Sequence, residues 1–248
     1  MDKVERLNYL NASWVQCPNC PLHETRHNVV VGYGNPDARI MIVGEGPGYN
    51  EDMEGYPFIG KAGMYLTNIL SSLSSSPEVF FAKKEAVEAP RDLQEDKKRA
   101  VRGLLWQEYF FTNLVACRPP EDRTPNDIEI RACRERLYEL IYTVDPQLIV
   151  SAGGTATDML IGAHVRITHV RGEYYDIEIP GRLINYHGLL LATLHPSYLM
   201  RKNDWRDDHG ETAKTFRDYF VAYTLVDEYS ERHLGIPKPV RPYRPEVP

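Results

Sequence analysis

No run of apolar residues in this 248-residue chain approaches the roughly 18 needed to cross a bilayer, and mean hydropathy is −0.44. The opening MDKVERLNYL is polar and acidic where a secretion signal would carry an apolar stretch. A cytoplasmic or nucleoid-associated protein with no membrane partner is therefore expected. Basic excess is missing too. With 29 Lys and Arg against 35 Asp and Glu, the net charge is −6, which excludes a wholesale cationic coat for nucleic acid but not a local patch. Cysteine is scarce: Cys17, Cys20, Cys117 and Cys133 are the full set of four. Without a secretion signal a disulfide framework is disfavoured. Four cysteines with no spares match a Cys₄ metal or iron–sulfur site, two ligands coming from Cys-Pro-Asn-Cys and two from far along the chain. A second short CxxC is absent, so spacing alone leaves iron–sulfur, zinc and no metal open. No P-loop ending in Gly-Lys-Ser/Thr follows the first Gly-rich turn, and Tyr49 stands where a dinucleotide fingerprint needs its last glycine. No internal repeat is visible.

What is present centres on Ala38–Leu70. Ile40–Val43 is an unbroken apolar run suited to a buried parallel strand. It ends in Gly44-Glu45-Gly46-Pro47-Gly48, too rich in Gly and Pro for helix or sheet, followed by an acidic loop, a Gly-Tyr-Pro-Phe turn and a helix over Lys61–Leu70. Further strands are expected at Tyr109–Val115, Gln147–Ser151 and Leu189–Thr193, with an edge strand at Val29–Val31. Helices are expected at 3–15, 125–142, from the Gly153-Gly154 turn to Leu160, and at 210–229. Asn126 or Asp127 can cap the helix over 125–142. Val165–Val170 and Tyr174–Ile179 alternate as a hairpin would. The pattern loosens near 71–100, read as a surface insertion in which Val79–Phe81 suggests a stray strand and 96–106 a helix. One domain over 1–236 and a loosely held Pro-rich tail at 237–248 complete the organisation.

Each of the four strands runs into a polar or Gly-rich turn. Glu45 follows the first, Asn113 lies near the end of the second, Gly153-Gly154 follow the third and His195 the fourth. A parallel sheet gathers its carboxyl ends, so Glu45, Asn113 and His195 are expected to line one crevice.

Taken together, CPNCPL, GEGPGYNEDMEGYPFIGKAG, TNLVACRPPEDRTP and LATLHPSYLMR resemble the uracil-DNA glycosylase superfamily, specifically its iron–sulfur, thermostable-type branch called family 4. The resemblance runs over most of Cys17–Tyr229. It implies a three-layer α/β/α fold on a four-stranded parallel sheet, and a monofunctional enzyme that excises uracil from DNA to leave an abasic site. It also implies a [4Fe–4S] cluster on Cys17, Cys20, Cys117 and Cys133. Motif by motif, Glu45 and Gly46 begin the loop that activates water and holds uracil. Glu51 lies near the C5 edge of the base, Phe58 stacks on its face, Asn113 reads its amide edge and His195 faces O2. Two departures stand out: a longer stretch between the first motif and the second strand, and Asp122 where asparagine is usual.

These residue types suit the chemistry. Breaking a deoxyribosyl N-glycosidic bond leaves positive character on the sugar and negative charge on the base. A neutral His or amide donor stabilises that anion, and a carboxylate positions water. An amide can donate to O4 and accept from N3–H of uracil, which a carboxylate cannot. The base must first leave the stack, and Leu199 or Met200 could fill the gap it vacates, with Arg201 and Lys202 beside them. Arg118 and Arg123, close to the cysteines, could meet phosphates; Arg166 and Arg171 are weaker candidates. No crevice candidate is a lysine, so a lyase is not indicated. A monomer acting on DNA with uracil or another deaminated base is expected. The rivals are a non-catalytic iron–sulfur DNA-binding protein of the same fold and a glycosylase for another base such as hypoxanthine.

Overall fold

The β-branched and aromatic runs of the chain build one mixed sheet. In this computed structural model, which describes residues 1–74, 76–88, 94–181, 185–202, 204, 206–226 and 240–241, the strands are β1 (Tyr33–Gly34), β2 (Ile40–Gly44), β3 (Tyr109–Asn113), β4 (Leu148–Ala152), β5 (Tyr174–Ile179), β6 (Tyr186–Thr193) and β7 (Val240–Arg241). Their order is β1-β3-β2-β4-β6-β5-β7. The middle four, β3-β2-β4-β6, pair parallel. The expectation of a four-stranded parallel sheet is corrected at both margins, because β1 joins β3 antiparallel, β5 joins β6 antiparallel and β7 runs parallel to β5. β6 begins at Tyr186, too soon after β5 ends at Ile179 for the long crossover that a parallel neighbour would need. The expected hairpin thus forms one strand later than the alternation suggested.

Helices cover both faces of the sheet: α1 (Lys3–Trp14), α2 (Tyr49–Glu54), α3 (Lys61–Ser71), α4 (Pro77–Glu88), α5 (Gln94–Leu105), α6 (Asp127–Val144), α7 (Gly154–Ile161), α8 (Ile167–Val170), α9 (Pro196–Lys202) and α10 (Glu211–Val226). Side chains alternate across each strand. Met41, Val43, Ile149 and Leu190 face Leu7, Leu10, Leu137, Leu140, Ile141 and Leu160, while Ile42, Val150 and Leu191 face Leu66, Ile69, Leu70, Leu105, Leu199 and Tyr219. The cap of α6 is Asn126, which accepts from the Glu129 amide while the Glu129 carboxylate accepts from the Asn126 amide.

Several local expectations change for physical reasons. Val79–Phe81 is not a strand but part of α4, where helical spacing turns Val79 and Ala86 inward and leaves Phe80 and Phe81 exposed. The described residues of 71–100 include the end of α3, α4 and the start of α5, and their buried side chains join the α3 face of the core. Val165–Val170 ends in the short helix α8, and the acidic loop after Gly48 is the single helical turn and a half of α2. The edge strand lies at Tyr33–Gly34 rather than Val29–Val31, although the Val30 amide still bonds the Ala116 carbonyl at 2.7 Å. Of the Pro-rich tail, residues 237–239 and 242–248 lie outside the described residues. Among the described residues, no helix is long and apolar enough to cross a membrane.

Candidate active site

The carboxyl ends of the parallel strands open into a crevice of about 800 Å³. Glu45, Gly46, Glu51, Phe58, Asn113, Arg123, His195 and Arg201 all line it, which brings together most of the residues picked out from the sequence. Register explains the convergence. Gly44 of β2 pairs with Asn113 of β3, the Gly44 carbonyl accepts from the Leu114 amide at 2.9 Å, and the Glu45 carbonyl accepts from the Val115 amide at 3.3 Å. On the other side, the Gly153 amide donates to the Thr193 carbonyl at 2.8 Å, and a Cβ on Gly153 would lie 3.2 Å from His195 Cβ. Gly153 also sits at φ +108°, outside the range L side chains favour, so its glycine is needed twice over.

The acidic pair after the first turn serves as a brace. Glu51 is 8% exposed, and its Oε1 accepts the amides of Ile59 and Gly60 at 2.9 and 2.7 Å. Between them and Pro57, Phe58 is held at φ +55°, a left-handed conformation that costs a non-glycine residue about 1–2 kcal/mol. Asp52, fully buried, accepts from the backbone amides of His27 and Asn28 and from His27 Nδ1. One carboxylate shapes the turn that presents the Phe58 ring, and the next ties that turn to the segment after the CPNC loop. Phe58 is itself supported by the tilted ring of Phe111, 5.8 Å between ring centres.

Two polar contacts prepare the ends of the crevice. Thr155 Oγ1 donates to Glu45 Oε2 at 2.6 Å, leaving the other oxygen of Glu45 able to accept from water. His195 Nδ1 accepts the Ser197 amide at 3.2 Å and lies 2.7 Å from Ser197 Oγ. A backbone N–H can only donate, so Nδ1 carries the lone pair and the neutral ring holds its proton on Nε2. Burial, and then the positive charge of Arg201, push the imidazole pKa down to about 4. The ring is thus a neutral donor across the physiological range. Thr155 was not legible in advance, although its place directly after Gly153-Gly154 was the available signal. Thr155→Val, which removes the hydroxyl and keeps the shape, should slow by roughly tenfold the single-turnover rate of any reaction in which Glu45 positions water, with folding stability within about 1 kcal/mol of wild type.

The flanking basic residues divide. Arg118 bonds Asp122 at 2.6 Å and lies over the Tyr49 ring, while Arg123 makes a two-pronged pair with the buried carboxylate of Glu129 at 2.6 and 2.9 Å. Arg171 is paired with Asp218, whereas Arg166, Arg201 and Lys202 are exposed. Leu199 is 0% exposed inside the core, so it is withdrawn as an element that could enter a duplex; Met200 beside it is partly exposed.

The sequence profile described as the Uracil DNA glycosylase superfamily matches residues 31–220, a span that includes every strand end lining the crevice. The chain is 38% identical over 207 residues to the type-4 uracil-DNA glycosylase of Thermotoga maritima, covering 81% of this chain and 89% of that protein. It is 34% identical over 208 residues to the type-4 uracil-DNA glycosylase of Pyrobaculum aerophilum, covering 82% and 88% respectively. It is 28% identical over 215 residues to the one of Archaeoglobus fulgidus, covering 85% and 92%. The chain belongs to the uracil-DNA glycosylase superfamily, in its type-4 branch.

Within that superfamily the cofactor expectation is corrected. Cys20, Cys117 and Cys133 pack with Leu22 and Val115 in one small apolar cluster, yet among the described residues no three His, Cys, Asp or Glu side chains are placed to hold a metal ion. The [4Fe–4S] site expected on Cys17, Cys20, Cys117 and Cys133 is therefore not found. The four cysteines are free thiols, three of them engaged locally: Cys117 Sγ accepts from Arg26 Nη1 at 3.4 Å, Cys133 Sγ from the Ala116 amide at 3.3 Å, and the Cys20 thiol is hydrogen-bonded to the Leu22 backbone. Burial pushes the Cys117 thiol up to about 11 and raises Cys20. The contacts between the CPNC loop and the segment after β3 are made by apolar packing and by Arg26, which also donates to the Cys17 carbonyl at 2.7 Å.

Proposed function

We propose that this chain is a monofunctional glycosylase that hydrolyses the N-glycosidic bond of uracil in DNA and leaves an abasic site. The observation that carries the reading is the convergence of Glu45, Phe58, Asn113 and His195 in one crevice of a chain that belongs to this superfamily. The relatives named above are themselves described as type-4 uracil-DNA glycosylases.

The steps follow from the groups. A uracil swung out of the duplex stacks on Phe58 and offers O4 and N3–H to the Asn113 amide, which lines the crevice. As the C1′–N1 bond breaks, its electron pair leaves with the base, and the negative charge spreads to O2, where the Nε2–H of His195 donates. The sugar becomes oxocarbenium-like. Water held by Glu45 adds its oxygen to C1′ and gives up a proton to the carboxylate, and the uracil anion is later protonated by solvent. Glu51 acts through the Phe58 turn, since both backbone amides of that turn occupy the same oxygen of its carboxylate. Partly exposed Met200, with Arg201 and Lys202, is the candidate contact to the duplex, the cations adding salt-dependent affinity for phosphates.

The deciding test uses a panel of end-labelled oligonucleotides carrying one uracil, hypoxanthine or undamaged cytosine, each incubated with protein and then heated in alkali to cut abasic sites. Cleavage at uracil, dependent on alkali, is expected. Strand breaks without alkali would indicate a lyase. Binding with no cleavage on any lesion would overturn the enzymatic reading, and cleavage at hypoxanthine alone would move the substrate to another base.

A further inference from the structure

Directly behind Asn113 lies a buried cation with no role in the scheme above. Arg136, on α6, is 0% exposed, and its guanidinium meets only neutral acceptors: the carbonyls of Val31, Asn113 and Leu114, the last at 3.0 Å, and Thr112 Oγ1 at 2.9 Å. Thr112 in turn donates to the Val31 carbonyl at 2.8 Å. Among the described residues no carboxylate pairs with Arg136, and its Nε has no partner. Its surroundings are apolar, with neighbouring helix positions such as Leu137 and Leu140 in the core. Its positive charge is held out of water by carbonyl and hydroxyl oxygens, with no carboxylate beside it among the described residues. An apolar side chain in its place would leave those buried carbonyls without a donor, so the guanidinium is what secures the end of β3. The same helix reaches the next part of the segment through Cys133 Sγ, which accepts the Ala116 amide.

We propose that Arg136 is a positioning residue for base excision: its guanidinium fixes the end of β3 that carries Asn113 and supplies, from behind the crevice, positive potential that favours the anionic leaving base. The proposal rests on the glycosylase reading. The backbone at Asn113 and Leu114 separates the cation from the base, and the carbonyl oxygens of both residues point at the guanidinium. Over a separation of roughly 7–10 Å, one unit charge at an effective dielectric near 20 changes a rate by about 10–100-fold. The field acts on whatever charge the leaving group carries in the transition state. A base that is intrinsically a better anion needs it less.

That dependence separates electrostatics from packing. Single-turnover excision is measured for uracil and for 5-fluorouracil, whose anion the fluorine stabilises, in otherwise identical duplexes, with wild type, Arg136→Gln and Arg136→Lys. The ratio of the two rates within one preparation does not depend on the fraction of protein that is folded. Arg136→Gln should lose about 10–100-fold on uracil and several-fold less on 5-fluorouracil, while Arg136→Lys, which keeps the charge, should hold the wild-type ratio within about twofold even if both rates fall. Equal losses on both bases in Arg136→Gln, or unchanged rates, would reduce Arg136 to scaffold. If Arg136→Gln gives no folded protein, Arg136→Lys decides, and a shifted ratio there overturns the proposal. Wild-type protein inactive on uracil would instead refute the glycosylase reading itself.

Discussion

His195→Ala is expected to slow single-turnover excision of uracil by about 10²–10³ while leaving duplex affinity within about threefold. The expectation follows from where the charge goes. The ring is held from below by Gly153 and oriented by the Ser197 amide, so its Nε2–H is aimed before substrate arrives and needs no reorganisation as the bond breaks. A group that acts on developing charge contributes little to ground-state binding. The pH dependence carries the same information. With its pKa lowered to about 4 by burial and by Arg201, His195 stays neutral well below the usual value of 6.5, and the wild-type rate should not titrate with a histidine between pH 8 and pH 5. Stability moves in a defined direction over the acid range. The unfolded chain takes up this proton near 6.5 and the folded one only near 4, so stability is complete above 6.5 and declines as pH falls through that window. Single-turnover kinetics beside fluorescence-anisotropy binding, repeated across pH, tests both statements. A parallel loss of rate, affinity and melting temperature would assign His195 to the scaffold.

How much of this could be read in advance depended on whether the determining contact was local. The central strands and their turns were legible because burial on both faces forces continuous apolar runs, and the Gly-rich or polar residues that end them cannot continue a strand. From that, the meeting of Glu45, Asn113 and His195 followed by topology alone. The mixed margins were not legible, because whether Tyr174–Ile179 pairs backward or forward is decided by which partner buries Tyr175 and Ile177, not by its own alternation. Val79–Phe81 misled for the opposite reason: three β-prone residues in a row carry less weight than the helix around them, which needs only Val79 inward. The sequence alone does not say which of Leu199 and Met200 could enter a duplex, because that depends on the first turn of α9, which points Leu199 into the core. The cysteines show the limit of spacing as evidence. Their count and order fit a ligand set, whereas their disposition depends on packing among Leu22, Val115 and Arg26 that no spacing rule contains. Arg136 lay on a face read simply as helical, and nothing in its neighbours announced a buried cation.

Gly44→Ala, a change of one methyl group, is expected to abolish most uracil excision, by about 10²-fold or more, at a cost to stability of only about 1–3 kcal/mol. Gly44 is the last residue of β2, and its α-carbon is the surface against which the two base-holding groups meet. A Cβ there would fall 2.3 Å from Asn113 Oδ1 and 2.7 Å from Phe58 Cζ, both too close for real atoms. Neither neighbour can yield freely. Asn113 is fixed through its own carbonyl by Arg136 and by its place in β3, and Phe58 is held at a left-handed φ by Glu51, with its backbone pressed so closely on Gly63 that a Cβ there would lie 1.9 Å from the Phe58 carbonyl oxygen. The accessible relief is rotation of the two side chains away from each other, into the crevice that the base must occupy. The amide then no longer matches the uracil edge and the ring no longer lies flat beneath it, so both stacking and selective hydrogen bonding are lost together. The strand is otherwise undisturbed, because the backbone of Gly44 is not in a conformation that alanine avoids. Single-turnover rates, thermal melting and affinity for undamaged duplex should therefore separate: the first falls steeply, the second slightly, and the third not at all. Wild-type excision by Gly44→Ala would mean that the base is held away from Asn113 and Phe58.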